Sequence, residues 1–165
     1  KMTGIGSRIF IELLNKVDSK ELKEGLIDIN GKVLLEPIYD EISGYYIDGY
    51  MIVKNNGKFG AIDKKNHVVI PLIYEELSDF DNGMFIAKKE KKVGVIDIKN
   101  TEIIPFQYDK IKYFQNELAL IEKSKKMGYI NKKGELVIEP TLPFNLSGDF
   151  YSGKALVKST NNTYP

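Results

Sequence analysis

The chain contains no cysteine and no tryptophan, a single histidine (His67) and a single arginine (Arg8). Without cysteine there is no disulfide scaffold, no thiolate metal site and no thiol nucleophile. One histidine likewise excludes histidine-rich zinc sites and thiol–histidine catalysis. Net charge is close to absent too: the formal value is +1 over 165 residues, so no strong field draws the protein to nucleic acid or an anionic membrane. Scarce arginine points the same way, because single-stranded nucleic-acid sites combine basic grooves with exposed stacking aromatics; no nucleic-acid partner is expected. Long apolar runs are missing as well. Ile9 to Leu14 is interrupted by Glu12, too short to span a bilayer and too weak for a signal-peptide core. A soluble protein without membrane insertion is expected. The opening Lys1-Met2 is compatible with trimming. The compartment is left open, with the bacterial cytoplasm placed ahead of export.

What is present is a repeat. Gly25-Leu26-Ile27-Asp28 returns as Gly60-Ala61-Ile62-Asp63, as Gly94-Val95-Ile96-Asp97 and as Gly128-Tyr129-Ile130-Asn131, with glycines 35, 34 and 34 residues apart. A fixed period of this size marks stacked supersecondary units. Each unit starts with a Gly-x-Ile-Asp strand of alternating period. A turn follows that opens on Asp28, Asp63, Asp97 or Asn131 and closes on Gly31, Asn66, Asn100 or Gly134. Asp and Asn bond the backbone two residues ahead, and Gly and Asn tolerate positive φ, the chemistry of a hairpin with a glycine-type bulge.

The second strand is aliphatic and is expected to stop at Pro37, Pro71, Pro105 or Pro140, since proline cannot donate to a ladder. A tyrosine and an acid follow (Tyr39-Asp40, Tyr74-Glu75, Tyr108-Asp109), less neatly Phe144-Asn145 in the last unit. A linker then carries one apolar residue (Ile42, Leu77, Ile111, Leu146) and a second aromatic (Tyr46, Phe80, Phe114, Phe150). A third strand closes the unit. The expected fold is all-β: about four three-stranded antiparallel meanders in an open twisted array, with a small propeller-like ring as the alternative. Residues 1–24 are expected to form an N-terminal cap or partial repeat, 25–158 the array and 159–165 a frayed tail.

This ordered set resembles the bacterial WG (KWG) repeat family, in which Lys-Trp-Gly-x-Ile-Asp opens the strand. The matching triplets are Lys58-Phe59-Gly60, Lys92-Val93-Gly94 and Lys126-Met127-Gly128, with Phe, Val and Met in the tryptophan position and Glu24 in the first unit. The resemblance covers about residues 23 to 158. It implies a β-repeat scaffold without catalytic residues, serving as a protein-interaction module. Some such proteins are associated with secreted proteins, toxins or conflict systems.

Candidate chemistry is sparse. His67 stands where other units carry Lys32, Glu102 and Glu135, a solvent-facing position. Asp28, Asp63 and Asp97 read as turn residues; no metal or cofactor is expected. Asp40-Glu41 and Glu75-Glu76, near Asp79 and Asp81, read as a solvated linker, with an acidic contact strip as the alternative. Lys88–Lys92 and Lys123–Lys126 read as solvated turns. In-phase aromatics are expected to join the units, and out-of-phase side chains to be available for contact. The candidate partner-binding residues are Tyr45, Tyr50, Met84, Phe85, Lys89, Lys91, Tyr113, Tyr129 and Tyr151, with Phe106 also out of phase. The structural positions are Gly25, Gly60, Gly94 and Gly128, the turn residues Asp28, Asp63, Asp97 and Asn131, and the four prolines. A non-catalytic protein-binding module is expected, one version being an immunity- or antitoxin-like mask. A carbohydrate or cell-envelope binder is the alternative.

Overall fold

The computed structural model describes residues 9–10, 22–44, 46, 48–80, 83–115, 117–142, 145–146 and 153–158. The all-β repeat fold is borne out: no α-helix occurs among the described residues, and every strand pairing is antiparallel. The chain divides at Tyr74/Glu75 into two compact units.

In the first unit, β1 (Ile9–Phe10), β2 (Glu24–Ile27) and β3 (Val33–Tyr39) form one sheet, in that order. A second sheet has the order β4 (Glu41–Ile42), β5 (Tyr50–Asn55), β6 (Lys58–Asp63), β7 (Val68–Tyr74). The second unit repeats this plan twice. One sheet joins β8 (Glu76–Phe80), β9 (Met84–Lys89), β10 (Lys92–Asp97) and β11 (Glu102–Tyr108); the next joins β12 (Lys110–Ile111), β13 (Leu118–Lys123), β14 (Lys126–Asn131) and β15 (Leu136–Leu142). A short pair, β16 (Asn145–Leu146) and β17 (Val157–Lys158), follows.

The meander is therefore real, but its phase differs from the sequence period. The third strand of each repeat pairs with the Gly-x-Ile-Asp strand of the next, as β5 does with β6 and β9 with β10. The linker supplies a fourth strand. Turn geometry accounts for the pairing. Two-residue turns at Asn56-Gly57, Glu90-Lys91 and Ser124-Lys125, all at positive φ, close tight hairpins whose twist matches that of the strands. A single residue, Asp40 after β3 and Asp109 after β11, separates the last strand of one sheet from the first strand of the next.

The Asp/Asn turns form as the side-chain chemistry requires. Asp63 Oδ1 accepts the backbone N–H groups of Lys65 at 2.8 Å and His67 at 2.9 Å. Asp28, Asp97 and Asn131 do the same in their own turns. The fourth turn residue adopts positive φ in each case: Gly31 81°, Asn66 66°, Asn100 63° and Gly134 83°.

The prolines do not stop their strands. β3, β7, β11 and β15 run through Pro37, Pro71, Pro105 and Pro140 as edge strands. Opposite Gly60 the register jumps from Phe59↔Tyr74 to Ala61↔Ile70, so the extra residues around Pro71 bulge outward. An edge strand can lose an N–H there without breaking the ladder. The bulge also sets the glycine. A Cβ on Gly60 would lie 2.5 Å from the Ile70 carbonyl oxygen, and one on Gly94 2.7 Å from that of Ile104; the equivalent carbonyls face Gly25 and Gly128.

The central strands are buried on both faces rather than in alternation. Gly60, Ala61 and Ile62 are consecutive buried residues, as are Val93 to Ile96 and Gly128 to Ile130. In the first unit Leu26, Leu35, Tyr39, Ile42, Met51, Val53 and Ile62 make one core, with Tyr46 and Leu72 packed on it. In the second, Tyr108 and Ile111 join Val95, Ile104, Ala119, Ile121 and Ile130, with Phe114 against them. The in-phase tyrosines thus join sheets within each unit. Each fully buried aliphatic contributes about 1.5–3 kcal/mol.

Candidate functional site

The charged residues that flank each sheet are mostly committed to the scaffold. The acid after the repeat tyrosine reaches the two-residue turn of the following hairpin. Asp109 Oδ2 accepts the Ser124 backbone N–H at 2.6 Å, Glu75 that of Lys91 at 3.3 Å and Asp40 that of Gly57 at 3.4 Å. These bonds hold Glu90-Lys91 and Ser124-Lys125 in the left-handed region, where a non-glycine residue costs about 1–2 kcal/mol. The lysine two residues before the repeat glycine then pairs with the acid 17 residues later, Lys23 with Asp40 and Lys92 with Asp109. The Lys23 ammonium beside Asp40 holds its carboxyl below the ordinary range, and Lys92 does the same for Asp109. Lys92 is thereby a pairing residue as well as a turn lysine.

Across the first two strands of the β4–β7 sheet and of the β8–β11 sheet stands a further pair. Lys54 bonds Glu41 at 3.2 Å and Lys88 bonds Glu76 at 2.6 Å, which raises the Lys88 pKa. Lys54 also sits over the Phe59 ring, and Lys123 over that of Tyr108, whose hydroxyl pKa is raised chiefly by burial. The Asp40-Glu41 and Glu75-Glu76 carboxylates thus have turn-capping and pairing roles. His67 is exposed, 3.2 Å from Asp63, whose carboxyl is held low first by the His67 backbone N–H. Among the described residues no three His, Cys, Asp or Glu side chains converge on a possible metal site, and no helix is long and apolar enough to cross a membrane.

Against this frame the candidate contact residues separate. Phe85 is buried at 2% exposure and Tyr129 at 1%, so neither offers a surface. Phe85 occupies the inward position filled by Met51 and Ala119 in the neighbouring repeats. Tyr129 occupies that of Leu26, Ala61 and Val95. Both are out of phase in residue type alone, their positions being core throughout. Met84 is half-buried against the second unit's core, and Tyr50 is half-buried at the start of β5. Lys89 and Lys91 are exposed, and Tyr113 is 61% exposed. Tyr45 and Tyr151 lie outside the described residues, as do Asp81, Phe144, Phe150 and the 159–165 tail.

Tyr113 stands on a groove of about 490 Å³ in the second unit. Its floor is apolar, with Leu77, Ala87 and Ile111, and its rim carries Lys110, Lys112 and Tyr113. Lys110 and Lys112 also line a smaller hollow, of about 160 Å³, beside Glu122 and Met127. The two lysines were not among the residues picked from the sequence, although the repeat alignment holds a signal for them. Glu41-Ile42-Ser43-Gly44 and Glu76-Leu77-Ser78-Asp79 become Lys110-Ile111-Lys112-Tyr113. The buried anchor is kept while its flanks change from acid and hydroxyl to two lysines. Elsewhere among the described residues the exposed large apolar side chains are aliphatic, including Val33, Leu34 and Ile38 on β3 and Val68 and Ile73 on β7. β3's outer edge is partly covered, since the Asn66 side-chain amide donates to the Leu34 carbonyl at 2.8 Å.

No curated protein and no solved structure matches the chain. The family model for the WG containing repeat matches four successive segments, residues 25–59, 59–92, 94–126 and 127–164. Those segments carry the glycine, turn and proline positions described above, and the chain belongs to the WG repeat family.

Proposed function

We propose that this protein is a non-catalytic protein-binding module. The observation that carries the reading is the Lys110–Tyr113 substitution at the groove. One repeat keeps the buried Ile111 and exchanges every exposed neighbour relative to the other repeats. A change confined to the surface leaves the scaffold intact and alters what the surface recognises. The exposed apolar side chains support a protein partner over a sugar. Among the described residues they are aliphatic apart from Tyr113, whereas a carbohydrate platform presents rows of aromatic faces. A module that brings no chemistry of its own acts by occupying its partner, so masking another protein, in the manner of an immunity protein or antitoxin, is the form of activity that fits.

The test is capture from the source cell's lysate and envelope fractions, with nuclease added, at low and high salt. A stoichiometric protein that survives nuclease is the expected result. Retention on wall or polysaccharide material with no protein would move the reading to carbohydrate binding.

A further inference from the structure

Most sheet edges among the described residues are blunted. β3, β7, β11 and β15 each carry a proline and a bulge, and β1, β4, β12, β16 and β17 are two residues long. Short strands, prolines and bulges are, with edge charges, the devices by which sheets avoid accepting a further strand. β8 has none of the first three, and its charges are the acids Glu76 and Asp79. It runs five residues, pairs with β9 in unbroken register from Glu76↔Lys88 to Phe80↔Met84, and has no strand on its other side among the described residues. The same strand lines the groove beside Lys110, Lys112 and Tyr113.

The charges at that groove are unequally engaged. Glu76 is paired with Lys88, and Asp109 with Lys92. Glu122 stands across the strand pair from Lys110, yet neither Lys110 nor Lys112 is held in an ion pair with a described residue. Two ammonium groups in no ion pair among the described residues and one exposed tyrosine therefore border an open strand edge. Resting on the protein-binding reading above, we infer that the groove takes an extended acidic segment of the partner protein, added as a strand to β8. Its main chain pairs with the free edge, its carboxylates meet Lys110 and Lys112, and an apolar side chain rests on Tyr113 over Leu77 and Ile111. Strand addition draws affinity from main-chain bonds and specificity from alternate side chains, and charge complementarity selects the acidic sequence.

The probe is a capped, fluorescently labelled peptide of alternating valine and glutamate, titrated by anisotropy against the whole chain. Its controls are the valine–lysine peptide and the valine–glutamate peptide methylated on alternate backbone nitrogens. Both controls are expected to bind at least about tenfold more weakly than the acidic peptide. Lys110→Glu with Lys112→Glu is expected to weaken the acidic peptide by at least about tenfold, the milder Lys110→Gln with Lys112→Gln by less, and Lys64→Glu with Lys65→Glu not at all. Circular dichroism confirms that each variant is folded. Equal binding of the methylated peptide would reduce the effect to charge and overturn strand addition. Indifference to both groove variants, or no binding of the acidic peptide, would overturn the groove itself. Lysate capture in parallel separates the two levels. A partner held equally by wild type and Lys110→Gln/Lys112→Gln sinks the groove and leaves the protein-binding reading standing. No partner for wild type sinks both.

Discussion

Residues 41–44 of the first unit and 110–113 of the second occupy one place in the repeat and have opposite surfaces. Ile42 and Ile111 are each 6% exposed and each joins the core of its own unit. Around Ile42 stand Glu41, paired with Lys54, and a small Ser43-Gly44. Around Ile111 stand Lys110, Lys112 and Tyr113, with no ion pair on either lysine among the described residues. The comparison teaches that the repeat divides its positions into those fixed by packing and those left to surface recognition. The division follows burial and not residue type.

The strongest way to break that division is at a packing position. Gly60→Val forces a side chain toward the Ile70 carbonyl and the Leu72 side chain, and should destabilise by about 3 kcal/mol in urea unfolding. A parent-like midpoint would mean the bulge does not need glycine. Next in size, Ile42→Ala and Ile111→Ala should each cost about 2–3 kcal/mol, the low end for such truncations. Losses differing severalfold would show that the two anchors are not equivalent.

A smaller effect concerns the ion pairs that recur in both units. Asp40 and Asp109 have lowered pKa values in the fold. Their contribution is fully present above the unfolded carboxylate pKa of about 4 and is lost as pH falls through the folded value. Both pairs are partly exposed, so Asp109→Asn should cost about 0.5–1 kcal/mol at neutral pH. Its stability should fall less steeply than wild type below about pH 4. Identical acid profiles would dismiss the pair. Smallest of all, Lys110→Ala and Lys112→Ala should change thermal stability by less than about 0.5 kcal/mol. A larger loss would make these lysines part of the scaffold and end the contrast with Glu41.

Much of the scaffold is legible because it is built from local chemistry repeated in register. The Asp63 turn needs only an oxygen acceptor, two N–H groups and a residue that accepts positive φ, all within five residues. Tyr39 and Tyr108 could be recognised as core because their recurrence has no other cause. Phe85 and Tyr129 are buried against expectation because a rule based on residue type ignores which way the strand points. Their neighbours at the same repeat positions, Met51, Ala119, Ala61 and Val95, are all buried, and a comparison by position finds them. The same comparison finds Lys110 and Lys112.

By itself the sequence determined the all-β class, the period, the Asp/Asn turns and the glycine positions, because these depend on contacts within a few residues or on strict recurrence. Only the tertiary structure decided which strands share a sheet, that the prolines lie inside bulged edge strands, that Asp40 and Asp109 cap a distant hairpin, and that among the described residues β8 keeps an open edge beside two lysines held in no ion pair. The last two depend on residues brought together from about 15 or more positions apart, and a local pattern holds no record of such meetings.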